Sequence, residues 1–212
     1  MDLFTNISPT KINILPDVIL LKSFALSDVD MLIADLQAVI KQAPLRHMMT
    51  KMGFSMSAAM TNCGDLGWTS DRKGYRYDSL DPVTNQPWPA MPVSFQQLAS
   101  FAATKAGFKN FQPDACLINQ YKVRTSMGLH QDKNEQDYSQ PIVSVSLGVP
   151  AVFQFGGKLR SDKTIKILLT HGDVIVWGGE TRQNFHGIMP LKADTHSVLG
   201  AYRYNLTFRK AR

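Results

Sequence analysis

The chain has 212 residues, of which 44% are hydrophobic and 19% charged. That length suits one domain with a full apolar core, and that composition excludes a wholly disordered chain. The net charge of +6 is uneven: residues 40–76 carry net +4 and residues 158–212 net +6, against −3 over 1–39 and −1 over 77–157. Two separated basic blocks suit the flanks of a polyanion groove as well as a solvated basic face. No apolar run approaches the ~20 residues of a spanning helix. Met1–Asn6 shows no basic stretch before an apolar core, so a cytoplasmic chain without membrane span or secretory signal is expected.

The first clear helix begins near Ser27, with Val29, Leu32, Ile33, Leu36, Val39 and Ile40 on one face. Ser27 and Asp30 have the spacing of a capping box, and Pro44 ends the helix. Residues 44–92 are irregular. They hold a strand-like piece, Phe54–Met60, then interleaved aromatics and bases (Trp68, Arg72, Lys73, Tyr75, Arg76, Tyr77) and a proline-rich loop. Irregular loops often carry binding residues. A second helix is predicted from Pro92 to Ala106, ended by Gly107. Short strands follow: Ala115–Tyr121, Gly128–Asp132, Ile142–Leu147, Ala151–Phe155, Ile165–Leu169, Asp173–Trp177, Asn184–Ile188 and Arg203–Phe208. Many short strands with two helices predict a mainly β architecture, closed or double-sheeted, with the helices packed on one face. The two cysteines, Cys63 and Cys116, read as small buried thiols.

His130 and Asp132 are two apart in a predicted strand, so an imidazole and a carboxylate share one face. His171 and Asp173 have the same spacing, but Gly172 between them marks a turn. A third ligand must come from another strand, and His186 lies in one. Two histidines and a carboxylate with open positions form the facial triad of non-haem iron(II) oxygenases. Each histidine alone usually reads as a hydrogen-bonded structural one, and the constellation on strands brings the two readings level. At the carboxyl end Arg203, Asn205, Thr207 and Arg209 alternate with Tyr204, Leu206 and Phe208. One face of that strand is a solvated basic face or a pocket for a dianion. On a straight strand the two arginines lie ~20 Å apart, so spacing alone does not place them on one ligand.

Met60-Thr61-Asn62-Cys63-Gly64, Trp88-Pro89-Ala90-Met91-Pro92, Leu129-His130-Gln131-Asp132-Lys133 and Arg203-Tyr204-Asn205-Leu206-Thr207-Phe208-Arg209 carry a family resemblance. The chain resembles the AlkB-type nucleic-acid dealkylases, which are 2-oxoglutarate- and iron(II)-dependent dioxygenases, and closely resembles their bacterial alkylation-repair branch. The resemblance runs from about Phe54 to Arg209.

What the resemblance implies is a double-stranded β-helix (jelly roll) core with flanking helices, in a single dioxygenase domain over 1–212. Residues 44–92 would form a nucleotide-recognition lid. It assigns His130, Asp132 and His186 to iron, and Asn119, Tyr121, Arg203, Asn205 and Arg209 to 2-oxoglutarate, with Arg209 on the distal carboxylate. Trp68, Tyr75, Arg76, Tyr77, Asn134 and Arg160 would meet the substrate. The implied activity is oxidative dealkylation of N-alkylated bases such as 1-methyladenine and 3-methylcytosine, in single- or double-stranded DNA with RNA as a further substrate, by a monomer. Dioxygen and 2-oxoglutarate are consumed, and the hydroxylated alkyl group leaves as an aldehyde. The alternative is an iron- and 2-oxoglutarate-dependent hydroxylase of a protein or small molecule. Asn134 stands where the resembling enzymes have aspartate, which changes the charge expected at the base. Glu135 follows it and would face the other way in an extended segment.

Overall fold

The structure, a computed structural model, describes residues 9–212. Met1–Asn6, the segment read for a secretory signal, lies outside them. The chain opens on a hairpin that patterning did not reveal, β1 (Thr10–Leu15) and β2 (Val18–Lys22). A 3-10 turn, Leu26–Asp28, leads into α1 (Val29–Gln42), which buries Leu32, Ile33, Leu36 and Val39. The expected capping box does not form. Ser27 lies inside the 3-10 turn, and its hydroxyl donates to Asp28 Oδ2 instead.

Next come β3 (Arg46–Met49), β4 (Ser55–Gly64), β5 (Gly67–Asp71), β6 (Gly74–Asp78) and α2 (Val93–Ala106). Gly107 closes α2 at φ 110°, in the left-handed region that favours glycine. The β region then holds β7 (Ala115–Tyr121), β8 (Met127–His130), β9 (Ile142–Gly148), β10 (Ala151–Phe155), β11 (Ile165–Leu169), β12 (Val174–Trp177), β13 (His186–Ile188) and β14 (Arg203–Arg209).

Eight strands form one sheet in the order β1-β2-β12-β9-β14-β7-β4-β3, and four form a second in the order β11-β10-β13-β8. The β5–β6 hairpin stands as a two-stranded sheet. The two large sheets face each other in the jelly roll of the expected fold class. Tyr121, Ile142, Ile175 and Trp177 from one sheet pack with Phe153, Phe155, Ile167 and Ile188 from the other. On its far side the large sheet packs against α1 and α2, where Val143, Val145, Val174, Leu206 and Phe208 meet Leu32, Leu36, Phe95 and Ala99. This sandwiching explains why β9 is buried along its whole length: alternate residues meet helices and the second sheet.

The same geometry decides β14. Its apolar residues face the helices, so Arg203, Asn205, Thr207 and Arg209 point between the sheets and are all buried. The solvated-face reading of that strand is thereby excluded. Part of the segment 44–92, where the lid is expected, is built into the core. β3 and β4 extend the large sheet, because Ala59–Gly64 pairs with Ala115–Gln120. The β5–β6 hairpin is what stands apart.

Candidate active site

β8 and β13 are antiparallel neighbours, and His130 lies opposite His186 with ring centroids 4.5 Å apart. Gly187 permits this approach, since a Cβ there would lie 2.6 Å from the Met127 carbonyl oxygen. Asp132 lies two residues past the end of β8, not within it as predicted. It reaches the pair nonetheless: Asp132 Oδ1 is 3.8 Å from His130 Nε2, and Oδ2 is 3.6 Å from His186 Nε2. The three candidate ligand atoms all lie within 4.8 Å of one another.

Hydrogen bonding sets both imidazoles for a metal. His130 Nδ1–H donates to the Gly128 carbonyl at 2.9 Å, and His186 Nδ1–H donates to the Asn184 carbonyl at 3.0 Å. A carbonyl accepts only, so each Nδ1 carries the proton and each Nε2 presents a lone pair. The rival His-x-Asp has the opposite chemistry. The Gly148 N–H donates to His171 Nδ1 at 3.0 Å, which places the proton of neutral His171 on Nε2. Asp173 is buried and accepts from Lys22 Nζ, the Ser23 amide and Thr170. His171→Ala is therefore expected to leave metal affinity and most turnover in place. A cobalt(II) titration checks this, and loss of binding would contradict the choice of pair.

Burial pushes the Asp132 carboxyl up, but Arg209 and the two imidazoles outweigh it and hold it well below the usual carboxylate range. Burial and the neighbouring His186 pull the His130 imidazole down to about 4. The centre therefore sets an ionised Asp132 beside a neutral His130 near neutral pH, with His186 Nε2 facing the same carboxylate. That donor set, with open positions, fits iron(II).

Arg209 faces a candidate metal ligand. Its Nη2 and Nε donate to Asp132 Oδ2 at 2.7 and 3.0 Å, beside the metal ligands. Arg203 lies deeper. Its guanidinium sits 5.0 Å over the Tyr121 ring, with Nη2 donating to Ser146 Oγ at 3.0 Å. Nε and Nη1 are buried with no partner among the described residues, as is Asn119 Oδ1. Asn205 Nδ2 donates to Ser144 Oγ and the Val145 carbonyl. Asn119, Tyr121, Arg203, Asn205 and Arg209 line one cavity that also meets His130 and His186. An orphaned buried guanidinium is costly until an anion pairs with it, which fits a carboxylate ligand such as 2-oxoglutarate.

A second, wider cavity of about 370 Å³ also meets His130, together with Asp132. Trp68, Tyr75, Asn134 and Arg160 line it. Trp68 and Tyr75 stack at 5.6 Å with their planes 14° apart. Trp68 Nε1 donates to Asn134 Oδ1 at 3.2 Å, and Arg160 lies 5.2 Å over the Phe185 ring. Two of the six expected substrate residues are placed elsewhere. Arg76 is held within the hairpin by Asp71 and Asp78 at 3.0 and 3.5 Å. Tyr77 turns inward, and its hydroxyl donates to Glu135 Oε1 at 2.6 Å.

Glu135, which the sequence only placed facing away from Asn134, and Arg182 also join the site. Both are buried, and Arg182 Nη1 donates to the Asp132 carbonyl at 3.0 Å. Nothing local marks them, since a lone acid and a lone arginine in loops look like surface residues. Ser144 and Ser146 were read only as strand residues.

Comparison with known proteins agrees with this geometry. The sequence profile described as "2OG-Fe(II) oxygenase superfamily" matches residues 17–209. The chain is 54% identical to the alpha-ketoglutarate-dependent dioxygenases AlkB of Escherichia coli and of Salmonella typhimurium, over 100% of this chain and 98% of each relative. A solved structure titled "The structure of OsALKBH1" superposes with a TM-score of 0.80 at 29% identity, covering 95% of this chain and 100% of that one. With the triad, the buried anion pocket and these relatives in agreement, the chain belongs to the 2OG-Fe(II) oxygenase superfamily, as an AlkB-type α-ketoglutarate-dependent dioxygenase.

Proposed function

We propose that this dioxygenase removes N-linked alkyl groups from nucleobases, of the 1-methyladenine and 3-methylcytosine type, in DNA and also in RNA. The observation that carries the reading is the outer cavity: a stacked Trp68–Tyr75 pair and Arg160 stand over His130 and Asp132. A base buried in a duplex cannot reach such a centre, so it must be flipped out or already single-stranded, and aromatic faces hold it there. Exposed Lys133 and Arg160 on the same rim suit a phosphate backbone. No helix among the described residues is long and apolar enough to cross a membrane. A cytoplasmic monomer completes the reading.

His130, Asp132 and His186 hold the iron, and iron with 2-oxoglutarate and dioxygen supplies the hydroxylation of an N-alkyl carbon. Arg209 fixes the Asp132 carboxylate by its two bonds. Arg203, with Tyr121 and Asn119 beside it, takes the distal carboxylate of 2-oxoglutarate in place of the Arg209 of the sequence reading. Trp68 and Tyr75 orient the base so that the alkyl group faces the metal. The resulting N-hydroxyalkyl group breaks its carbon–nitrogen bond, and aldehyde and restored base separate.

Incubation in air with iron(II), 2-oxoglutarate and methylated oligonucleotides tests this. One succinate and one formaldehyde are expected per base restored. Succinate with no restored base on any oligonucleotide would favour the alternative, a protein or small-molecule hydroxylase.

Asn134 adds a specificity prediction. It is exposed, its oxygen is taken by Trp68 Nε1, and it has no charge to offer a cationic base. Asn134→Asp is expected to raise the preference for 1-methyladenine over neutral ethenoadenine by about 2–5-fold, the scale of ~0.5–1 kcal/mol for a solvent-screened ion pair. An unchanged ratio of kcat/KM values would mean that position 134 does not read charge.

A further inference from the structure

Glu135 is a buried carboxylate that no step above uses. Its side chain is 2% exposed, between Arg182 and Arg209 at 3% and 6%. Glu135 Oε2 lies 3.2 Å from Arg182 Nη2, and Oε1 lies 3.5 Å from Arg209 Nε. The same two arginines hold Asp132, Arg209 by its carboxylate and Arg182 by its backbone carbonyl. From the other side, Tyr77 of β6 donates its hydroxyl to Glu135 Oε1 at 2.6 Å. Trp68 of β5 adds a second latch on the neighbouring residue, Asn134. The hairpin that carries the aromatic wall of the outer cavity is thus fastened to the segment that bears a metal ligand.

We propose that Glu135 is a positioning residue that links the β5–β6 hairpin to the metal centre, so that metal binding and seating of the hairpin strengthen each other. Two guanidiniums here face two carboxylates, Asp132 and Glu135. A divalent cation at Asp132 would share that carboxylate with Arg209, which holds it in place through Oδ2. Arg209 is too buried to remain unpaired without a large cost, so it leans on Glu135. The Glu135 carboxylate is therefore needed for the metal to bind well, and the Tyr77 hydroxyl is the donor that holds its Oε1. Coupling of two equilibria is reciprocal, so the metal must in turn hold Tyr77 and its hairpin.

The experiment uses the metal-free full chain and cobalt(II) alone, with two readouts: cobalt affinity from its visible absorption, and amide hydrogen exchange over residues 67–78. Tyr77→Phe keeps the ring and its packing, and Glu135→Gln keeps the shape. Each is expected to weaken cobalt binding by about 3–10-fold, less than the 10–100-fold typical of partners that touch a ligand directly. The double variant is expected to lose little more than the worse single, because both act through one link. Cobalt is expected to slow exchange over 67–78 in the wild type and to slow it less in Tyr77→Phe. Unchanged affinity in Tyr77→Phe, additive losses, or the same exchange response in wild type and variant would each overturn the proposal. Should Glu135→Gln fail to fold, Tyr77→Phe decides alone. The inference rests on the three assigned metal ligands, and His130→Ala checks that premise separately by abolishing cobalt binding.

Discussion

Replacing His130 by alanine is expected to lower iron-dependent turnover by more than about 100-fold, beyond the loss typical of a residue that only supports a ligand, with the fold retained. A facial triad has no spare protein ligand. His130 is the cleanest test, because its side chain is 38% exposed toward the cavity and its removal strands no buried charge. His186→Ala is expected to cost the same activity with some stability, since His186 packs against Phe155 and Trp177. Asp132→Ala carries a further penalty. It leaves Arg209 buried without its main partner, and breaking a buried pair costs ~3–5 kcal/mol. Asp132→Asn, which keeps an acceptor for Arg209, separates loss of metal from loss of fold. Succinate release, with circular dichroism for the fold, checks all of these; turnover near wild type in His130→Ala would remove it from the ligand set.

Arg203→Lys is expected to raise the 2-oxoglutarate requirement by about 10-fold or more. Lysine lacks the planar fork, and a hydrogen bond to a charged group is worth ~1.5–3 kcal/mol. The contrast with Arg209→Lys is the sharper result. Arg209 pairs with Asp132, so its replacement is expected to weaken metal binding more than it raises the 2-oxoglutarate requirement. Parallel titrations of metal and cosubstrate in the two variants measure this. The reverse pattern would return Arg209 to the distal carboxylate.

The elements the sequence revealed best were those with strict local periodicity. α2, β7, β10 and β11 fall where alternation or helical spacing put them, because each buries a face that its own residues define. β1 and β2 escaped notice: a short hairpin at the sheet edge gains its stability from pairing with β12, a partner more than 150 residues away. The place of residues 44–92 has a related cause. The strand-like Phe54–Met60 overlaps β4, but its place in the large sheet follows only from the pairing of β4 with β7, and that of β3 from its pairing with β4.

The site divides in the same way. His130, Asp132 and His186 were legible because metal chemistry restricts ligand type, and strand periodicity restricted the spacing of the first two. The alternation of β14 showed that Arg203 and Arg209 share a face, and the family resemblance supplied their ligand. Tertiary structure alone decided which arginine meets which partner, since that follows from how far each residue of β14 lies from the β8–β13 pair. It also decided that Tyr77 and Arg76 leave the cavity, through their bonds to Glu135 and to Asp71 and Asp78. Composition and periodicity report what a residue prefers to bury or expose. The tautomers of His130 and His186, the unpaired atoms of Arg203 and the closed chain from Tyr77 to Asp132 depend on angstrom-scale placement of groups far apart in sequence, which only the packed sheets impose.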